Sequence, residues 1–131
     1  MFTLDQIAQA HSRVRSGADF PRYVQDLIAL DVQRYTTWLA DGRVDYEGLG
    51  QVLSTTAKHA AQTIADHGDK DHFRERLKLH QRGGTDYPTF CADARDAGVE
   101  RWVVDTGAMT CTYFDKSGKA LLVERIPATG A

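Results

Sequence analysis

ADFPRYVQDLIALDVQRYTTWLADGRVDY, residues 18–46, aligns without a gap with TDYPTFCADARDAGVERWVVDTGAMTCTY, residues 85–113. The shared positions begin with an aspartate, an aromatic residue and a proline and continue through Val32 with Val99 and Arg34 with Arg101. Helix-capping preferences explain an aspartate and a proline at a helix start, but they do not explain a match that extends into the next strand. The alignment predicts an internal duplication. Convergent local chemistry is the alternative.

The first copy, about residues 3–56, reads as two helices and a hairpin. Thr3 and Gln6 form a capping box for the first helix, which we expect to end at residues 15–17, where a glycine follows. Asp19 is the predicted N-cap of the second helix. The pair Asp41-Gly42 marks the turn of a hairpin, and residues 51–54 can supply a short third strand.

The second copy, about residues 69–126, repeats this order. A helix is predicted from Asp69 to the Gly83-Gly84 pair, and another from Asp86 to Gly98. Three short β segments follow, at residues 101–105, 109–115 and 120–126. Between the copies, the pattern of residues 58–66 does not decide between strand and helix.

These elements predict the fold class. Half of this chain buries too little surface to be stable alone, so the two copies are expected to share one core. We therefore predict a single α+β domain over residues 1–131, with a mainly antiparallel sheet and the helices packed on one face. A pseudo-twofold axis would relate the copies.

Composition restricts the class of protein. The 131 residues carry a formal net charge of −2 with acids and bases interspersed, so no nucleic-acid partner is expected. The two cysteines are too few for a disulfide scaffold. No apolar stretch approaches the length of a membrane span, and the first residues lack the pattern of a signal peptide. We therefore expect a cytoplasmic protein that does not bind membranes.

One cluster has the residue types of a metal site. Two imidazoles with carboxylates can hold zinc or iron, and His80 follows His72 about two turns later on the predicted helix. The spacing matches no established metal motif, and acids in a first helical turn are also explained by capping and the helix dipole. The candidate ligands are His67, Asp69, Asp71 and His72.

A second candidate site comes from polar residues at matching repeat positions. Arg34 and Arg101 could clamp a carboxylate or phosphate near the pseudo-axis, or each could pair with an aspartate of its own copy, Asp26 or Asp93. His11 and His80, on the inner sides of helices, are candidate ligand-binding residues too. A histidine there more often bonds a backbone carbonyl.

Two further motifs favour structural roles. Asp105-Thr106-Gly107 looks like the signature of retroviral-type aspartic proteases, but the preceding helices and the short remaining chain do not fit that fold. An aspartate before a Thr-Gly turn is the simpler interpretation. Cys91 could be a nucleophile with His80 or His67 as its base, but a cysteine on an apolar helix face more often belongs to the core.

The chain also resembles a known family. FTLDQIAQAHSRVRSGADFPRYVQDL, HQRGGTDYPTFC, GVERWVVD and AMTCTYFDKSG resemble the YdfO/YbcV-like group of enterobacterial and prophage proteins, which carries a domain-of-unknown-function label and in some members the label of phage envelope protein. The resemblance implies an α+β fold and a bacterial cytosolic or prophage context. It implies no catalytic residues.

The residues favour a small non-catalytic binding or regulatory protein, because folding explains each candidate site. The alternative is a small metal-dependent hydrolase that uses the region from His67 to His80. We expect a protein or small-molecule partner and a monomer or homodimer. The sequence identifies no cofactor.

Overall fold

The computed structural model describes residues 1–15 and 17–127 of the 131-residue chain. The α-helices in this part are α1 (Leu4–His11), α2 (Phe20–Ala29), α3 (Lys70–Gln81) and α4 (Tyr87–Asp96). The strands are β1 (Arg34–Trp38), β2 (Val44–Gly48), β3 (Gln51–Ser54), β4 (Arg101–Asp105), β5 (Thr110–Phe114) and β6 (Ala120–Arg125). This is the predicted α+β fold.

All six strands form one antiparallel sheet in the order β3-β2-β1-β4-β5-β6. The two hairpin units therefore lie side by side, and β1 and β4 are the central strands. Thr36 lies opposite Val103 in the centre of this pairing, with Arg34 opposite Asp105 and Trp38 opposite Arg101 on either side. Thr36 and Val103 also occupy aligned positions of the segments 18–46 and 85–113, so the pairing is symmetric about them.

The helices pack on one face of the sheet, as predicted. The Tyr23 ring of α2 meets Tyr35 of β1, and the Phe90 ring of α4 meets Trp102 of β4. The same face of the sheet continues from Tyr35 to Tyr46 and from Trp102 to Tyr113. Each half thus has a chain of aromatic contacts at aligned positions, which forms the core with the buried aliphatic residues.

Local sequence chemistry sets the helix starts. Thr3 and Gln6 form the predicted capping box of α1, and Asp69 and Asp86 accept hydrogen bonds from backbone N–H groups in the first turns of α3 and α4. Two details differ from prediction. Helix α1 ends at His11 rather than at residues 15–17, and the Asp19 carboxylate accepts from the backbone N–H of Arg15 rather than from α2.

Helices α2 and α4 end in the same way at aligned positions. Asp31 follows α2 with a φ of 67°, and Gly98 follows α4 with a φ of 86°. Left-handed backbone after a helix favours glycine and lets the next N–H groups donate to the last helical carbonyls, as Val32 does to Leu27 and Val99 to Ala94. The chain passes Gly98 so closely that a Cβ there would lie 2.5 Å from the carbonyl oxygen of His67.

The segment between β3 and α3, whose structure the sequence left undecided, contains neither helix nor strand over residues 55–69. It crosses the end of the sheet, where the backbone N–H groups of Gln62 and Ala65 donate to the carbonyls of Ala40 and Arg95. Within the described ranges, none of the helices has the length and apolar character needed to span a membrane.

Candidate functional site

The face of the sheet opposite the helices, called the open face below, has no helix of the described chain packed on it. Side chains alternate between the two faces of a strand, so Thr36, Val103 and Thr112 point to the open face at the sheet's centre. Thr36 is buried there, and Val103 and Thr112 are half-buried. Val123 of the neighbouring strand is 59% exposed. A broad surface of the molecule is thus formed by strand side chains alone.

Charges of both signs lie on the open face. The bases are Arg34, Arg43, Arg101 and Arg125, and the acids are Asp45, Glu47 and Asp105. The Glu100 carboxylate also reaches Arg101 of this face, so the two signs are nearly balanced there. The interspersed acids give this face a mixed rather than a uniformly basic character.

Arginine and aromatic side chains form one continuous row on the open face, from the residue before β2 across β1 and β4 to β5, the aromatic row (Arg43, Trp38, Arg101 and Phe114). The Arg43 and Arg101 guanidinium carbons lie 5.5 and 5.6 Å from the centre of the Trp38 ring. The Arg101 guanidinium also lies 4.6 Å from the centre of the Phe114 ring. These distances are within the range of cation–π attraction, so the row is held together by direct contacts.

Hydrogen bonds fix the row in place. The Trp38 indole N–H donates to Asp45 Oδ2 at 2.9 Å, and Asp45 Oδ1 accepts from the Ser54 hydroxyl at 2.7 Å. Arg101 pairs with the Glu100 carboxylate at 2.9 Å, with its side chain 24% exposed. A surface whose side chains are already ordered loses little conformational entropy when it binds.

The predicted anion site at Arg34 and Arg101 does not form. Both arginines lie on the open face, but Arg101 is opposite Trp38 and Arg34 is opposite Asp105, which separates them by roughly 13 Å along the strands. Arg34 instead makes two hydrogen bonds to Glu47, at 3.1 and 3.2 Å. The hydrogen bond and charge of Glu47 raise the pKa of Arg34 above its usual value.

The predicted pairing of these arginines with Asp26 and Asp93 is also wrong. The two aspartates lie on α2 and α4, on the other side of the sheet. Asp93 binds Arg76 of α3 at 2.9 Å, and Asp26 contacts Arg13 at 3.5 Å. Asp93 therefore connects α4 to α3, and Asp26 connects α2 to the turn that follows α1.

His11 and His80 belong to the helix layer, so the structure does not bring them to the two arginines. His11 is exposed and its ring meets Tyr23 edge-on. His80 stacks on Phe90, with 4.4 Å between ring centres, and its Nδ1 lies 3.0 Å from the Thr85 carbonyl oxygen. A backbone carbonyl partner favours the structural role for His80.

The predicted metal ligands do not converge. His67, Asp69, Asp71 and His72 are all exposed, and Asp69 Oδ1 accepts from the His72 backbone N–H as an N-cap. Among residues 1–15 and 17–127, no group of three or more histidine, cysteine or carboxylate side chains is arranged to hold a metal ion. The geometry gives the metal-dependent enzyme no site in this region.

The remaining motifs have structural contacts. Asp105 Oδ1 accepts from the backbone N–H groups of Gly107 and Ala108, and the Thr106 hydroxyl donates to backbone carbonyls of the β1 side. Cys91 and Cys111 are buried and free. Burial raises the pKa of both thiols, that of Cys111 to about 12, so neither forms a reactive thiolate at neutral pH.

The family comparison covers most of the molecule that carries this geometry. Residues 8–125 match the family model described as "Protein of unknown function (DUF1398)". The chain belongs to this family. The matched part of this DUF1398 protein includes every strand of the open face and all residues of the aromatic row. A search of curated proteins finds no match.

Sequence reasoning did not identify the aromatic row in this DUF1398 protein. Trp38 and Arg101 are far apart in the chain and become neighbours only through the β1–β4 register. The available signal was alternation: Arg34, Thr36 and Trp38 share one face of β1, opposite the buried Tyr35. The facing arginine could be placed only once the strand order was known.

Proposed function

We propose that this DUF1398 protein is a non-catalytic binding protein whose recognition surface is the open face. The proposed partner is a protein that presents carboxylates beside apolar side chains. The aromatic row carries the proposal, since tryptophan and arginine at well-packed positions supply much of the binding energy in protein interfaces.

The contacts of the row support this partner chemistry. Arg43 is 45% exposed and lies 3.9 Å from Asp45, so its guanidinium can reach a second carboxylate. Trp38 and Phe114 are partly exposed beside it and offer apolar surface to the same partner. Carboxylates recognise guanidinium groups through paired hydrogen bonds. An acidic and apolar protein surface therefore complements the row.

The acids of the open face argue against nucleic acid. Asp45 lies on β2 and Asp105 at the end of the central strand β4, and Glu47 neutralises Arg34. Nucleic-acid surfaces need several basic side chains that remain available for phosphates. A second copy packed face to face is also disfavoured, because sheet-on-sheet packing would bury these charges, and burying charges is costly.

Binding tests of this proposal need matched variants. In Trp38→Thr/Arg101→Thr, threonine suits an exposed strand, and the changes remove the row but leave the helix layer intact. Arg74→Thr is the control, because Arg74 is exposed on α3. We expect a protein that binds the wild type and Arg74→Thr to lose at least tenfold in affinity for the double variant.

The outcomes decide the proposal. Equal binding by the double variant and the wild type would overturn it, and so would binding of a single-stranded oligonucleotide that requires the aromatic row. Changing Trp102 to Phe leaves Trp38 as the sole tryptophan. Its fluorescence then reports occupancy of the open face directly.

We also infer that the two halves arose by duplication, in a protein of the YdfO/YbcV-like group from a prophage or bacterial cytoplasm. The duplication is supported by the aligned aromatic contacts Tyr23 to Tyr35 and Phe90 to Trp102. The resemblance of the sequence supports the group. Detection of the chain in the soluble fraction of lysed bacterial cells would test the location.

A further inference from the structure

The two edges of the sheet differ in how they are protected. Edge strands expose unpaired backbone groups, and proteins commonly guard them with charges, prolines or bulges. β6 has a bulge opposite Tyr113 and Phe114, and Glu124 and Arg125 near its end. β3 has the sequence Gln-Val-Leu-Ser, with no charge and no proline, so it has none of these protections.

The pairing register shows which backbone groups of β3 are available. The Thr55 N–H donates to the Val44 carbonyl, and hydrogen-bonded pairs alternate along an antiparallel ladder. Leu53 and Gln51 therefore direct their backbone groups towards β2. The N–H and C=O groups of Val52 and Ser54 face away from the sheet, where a further strand could pair with them.

A groove of about 370 Å³ lies beside this edge on the helix side of the sheet. Its lining comes from the residues before and at the start of α1 and from β3, and includes Leu4, Asp5, Gln51 and Leu53. Side chains of neighbouring strands that lie opposite each other share a face. A strand added to β3 would therefore place every second side chain in this groove.

The lining favours a basic side chain with an apolar stem. Leu4 and Leu53 supply apolar surface, and Asp5 supplies the charge among the described lining residues. The negative charge of Asp5 is larger than the positive partial charge of roughly half a unit at the N-terminus of α1. The groove therefore attracts a basic side chain. Gln51 donates through Nε2 to the Phe2 carbonyl, while its buried Oε1 has no hydrogen-bond partner among the described residues. A rotation of this amide towards an incoming chain would give Oε1 a donor.

We propose that β3 binds an extended segment of a partner protein by strand addition, with a lysine or arginine of that segment in the groove beside Asp5. Main-chain hydrogen bonds to Val52 and Ser54 provide affinity, and the groove provides selectivity. A second copy of this chain fits less well, since its own β3 carries no basic side chain to meet Asp5. The groove lies on the helix side of the sheet, away from the aromatic row, so this proposal does not depend on the function of the open face.

The probe is a seven-residue acetylated and amidated peptide of alternating threonine and valine with a central lysine. It carries a fluorescent label, and binding is followed by anisotropy. We expect it to bind about fivefold more tightly than the same peptide with a central glutamate, in the range of exposed ion pairs. Asp5→Asn should remove most of that preference.

The two edges offer a matched pair of protein variants. Val52 and Val123 are both exposed edge valines, at 61% and 59%. The Val123 N–H also faces outwards, because the Ile126 N–H pairs with the Met109 carbonyl and pairs alternate from there. Proline is tolerated at such positions. We expect Val52→Pro to weaken peptide binding more than tenfold and Val123→Pro to leave it unchanged.

A second measurement does not rely on the folding of a variant. N-methylation of the probe at the amides that face β3 should abolish binding, and N-methylation at the other amides should not. Equal binding of the lysine and glutamate probes, or equal effects of the two methylation patterns, would overturn the proposal. A dimer lost in Val52→Pro, with no binding of the probe, would instead assign the edge to a second copy. Unchanged probe binding by Trp38→Thr/Arg101→Thr separates this site from the open face.

Discussion

Gly98→Ala is expected to destabilise the protein for two separable reasons. Gly98 has a φ of 86°, and a side chain in left-handed backbone costs about 1 kcal/mol. In addition, the new Cβ would lie 2.5 Å from the His67 carbonyl oxygen and 2.8 Å from the Gly68 Cα. Relieving such a clash moves backbone and costs about 1–3 kcal/mol more. The total loss is therefore about 2–4 kcal/mol.

Gly83→Ala isolates the conformational part of this loss. Gly83 has a φ of 79°, but a Cβ there meets nothing within 4 Å. We expect a loss of about 1 kcal/mol for this control. Urea unfolding, followed by tryptophan fluorescence to which the buried Trp102 contributes, gives both free energies, and calorimetry should show Tm falling by about 7–14 °C for Gly98→Ala. Equal losses for the two variants would refute the close approach of residues 67–68 to Gly98.

Three further predictions follow from individual residues. Asp31→Gly should stabilise the protein by about 0.5–1 kcal/mol, measured by urea unfolding, because Asp31 has a φ of 67° after a helix and glycine adopts this left-handed backbone without strain. A decrease in stability would show that the Asp31 side chain itself stabilises the fold. Cys91 and Cys111 should resist a thiol reagent at pH 8 until the protein unfolds, since burial raises the pKa of both thiols; rapid reaction of the native protein would contradict this. The Ser117 hydrogen bond lowers the pKa of Asp115 below its usual 3.8. The ionised Asp115 carboxylate therefore stabilises the fold fully above pH 3.8, and this stabilisation is lost as the pH falls through the lower pKa of the folded state. The stability difference between wild type and Asp115→Asn should shrink over that acid range, and a pH-independent difference would refute the assignment.

Local chemistry made much of the fold predictable. The capping box at Thr3, the caps at Asp69 and Asp86, and the turn at Gly42 act within a few residues, and the structure contains all of them. The alignment of residues 18–46 with residues 85–113 led to the prediction of an antiparallel sheet with its helices on one face, which the structure confirms. The predicted end of α1 was wrong. The helix ends at His11, and the next residues form turns in which the Arg13 and Val14 N–H groups donate to the carbonyls of Ala10 and His11.

The site was less predictable because it depends on contacts between distant residues. Arg34 and Arg101 were identified by their repetition, but Arg34 pairs with Glu47 across the hairpin and Arg101 lies against Trp38 of another strand. The side of the sheet on which an arginine lies follows from alternation once the strand register is known. A sequence read without that register cannot distinguish a pairing with Asp26 from a pairing with Glu47.

Site-specific crosslinking tests most directly whether the open face is the binding surface. A photo-reactive benzoylphenylalanine replaces Val103, at the centre of the face, and in a control chain it replaces the exposed Glu75 of α3. We predict that the Val103 position crosslinks one protein in the cells from which the chain comes, that Trp38→Thr/Arg101→Thr abolishes this product, and that the Glu75 position does not form it. The same product from both positions, or a product unaffected by loss of the aromatic row, would contradict the account.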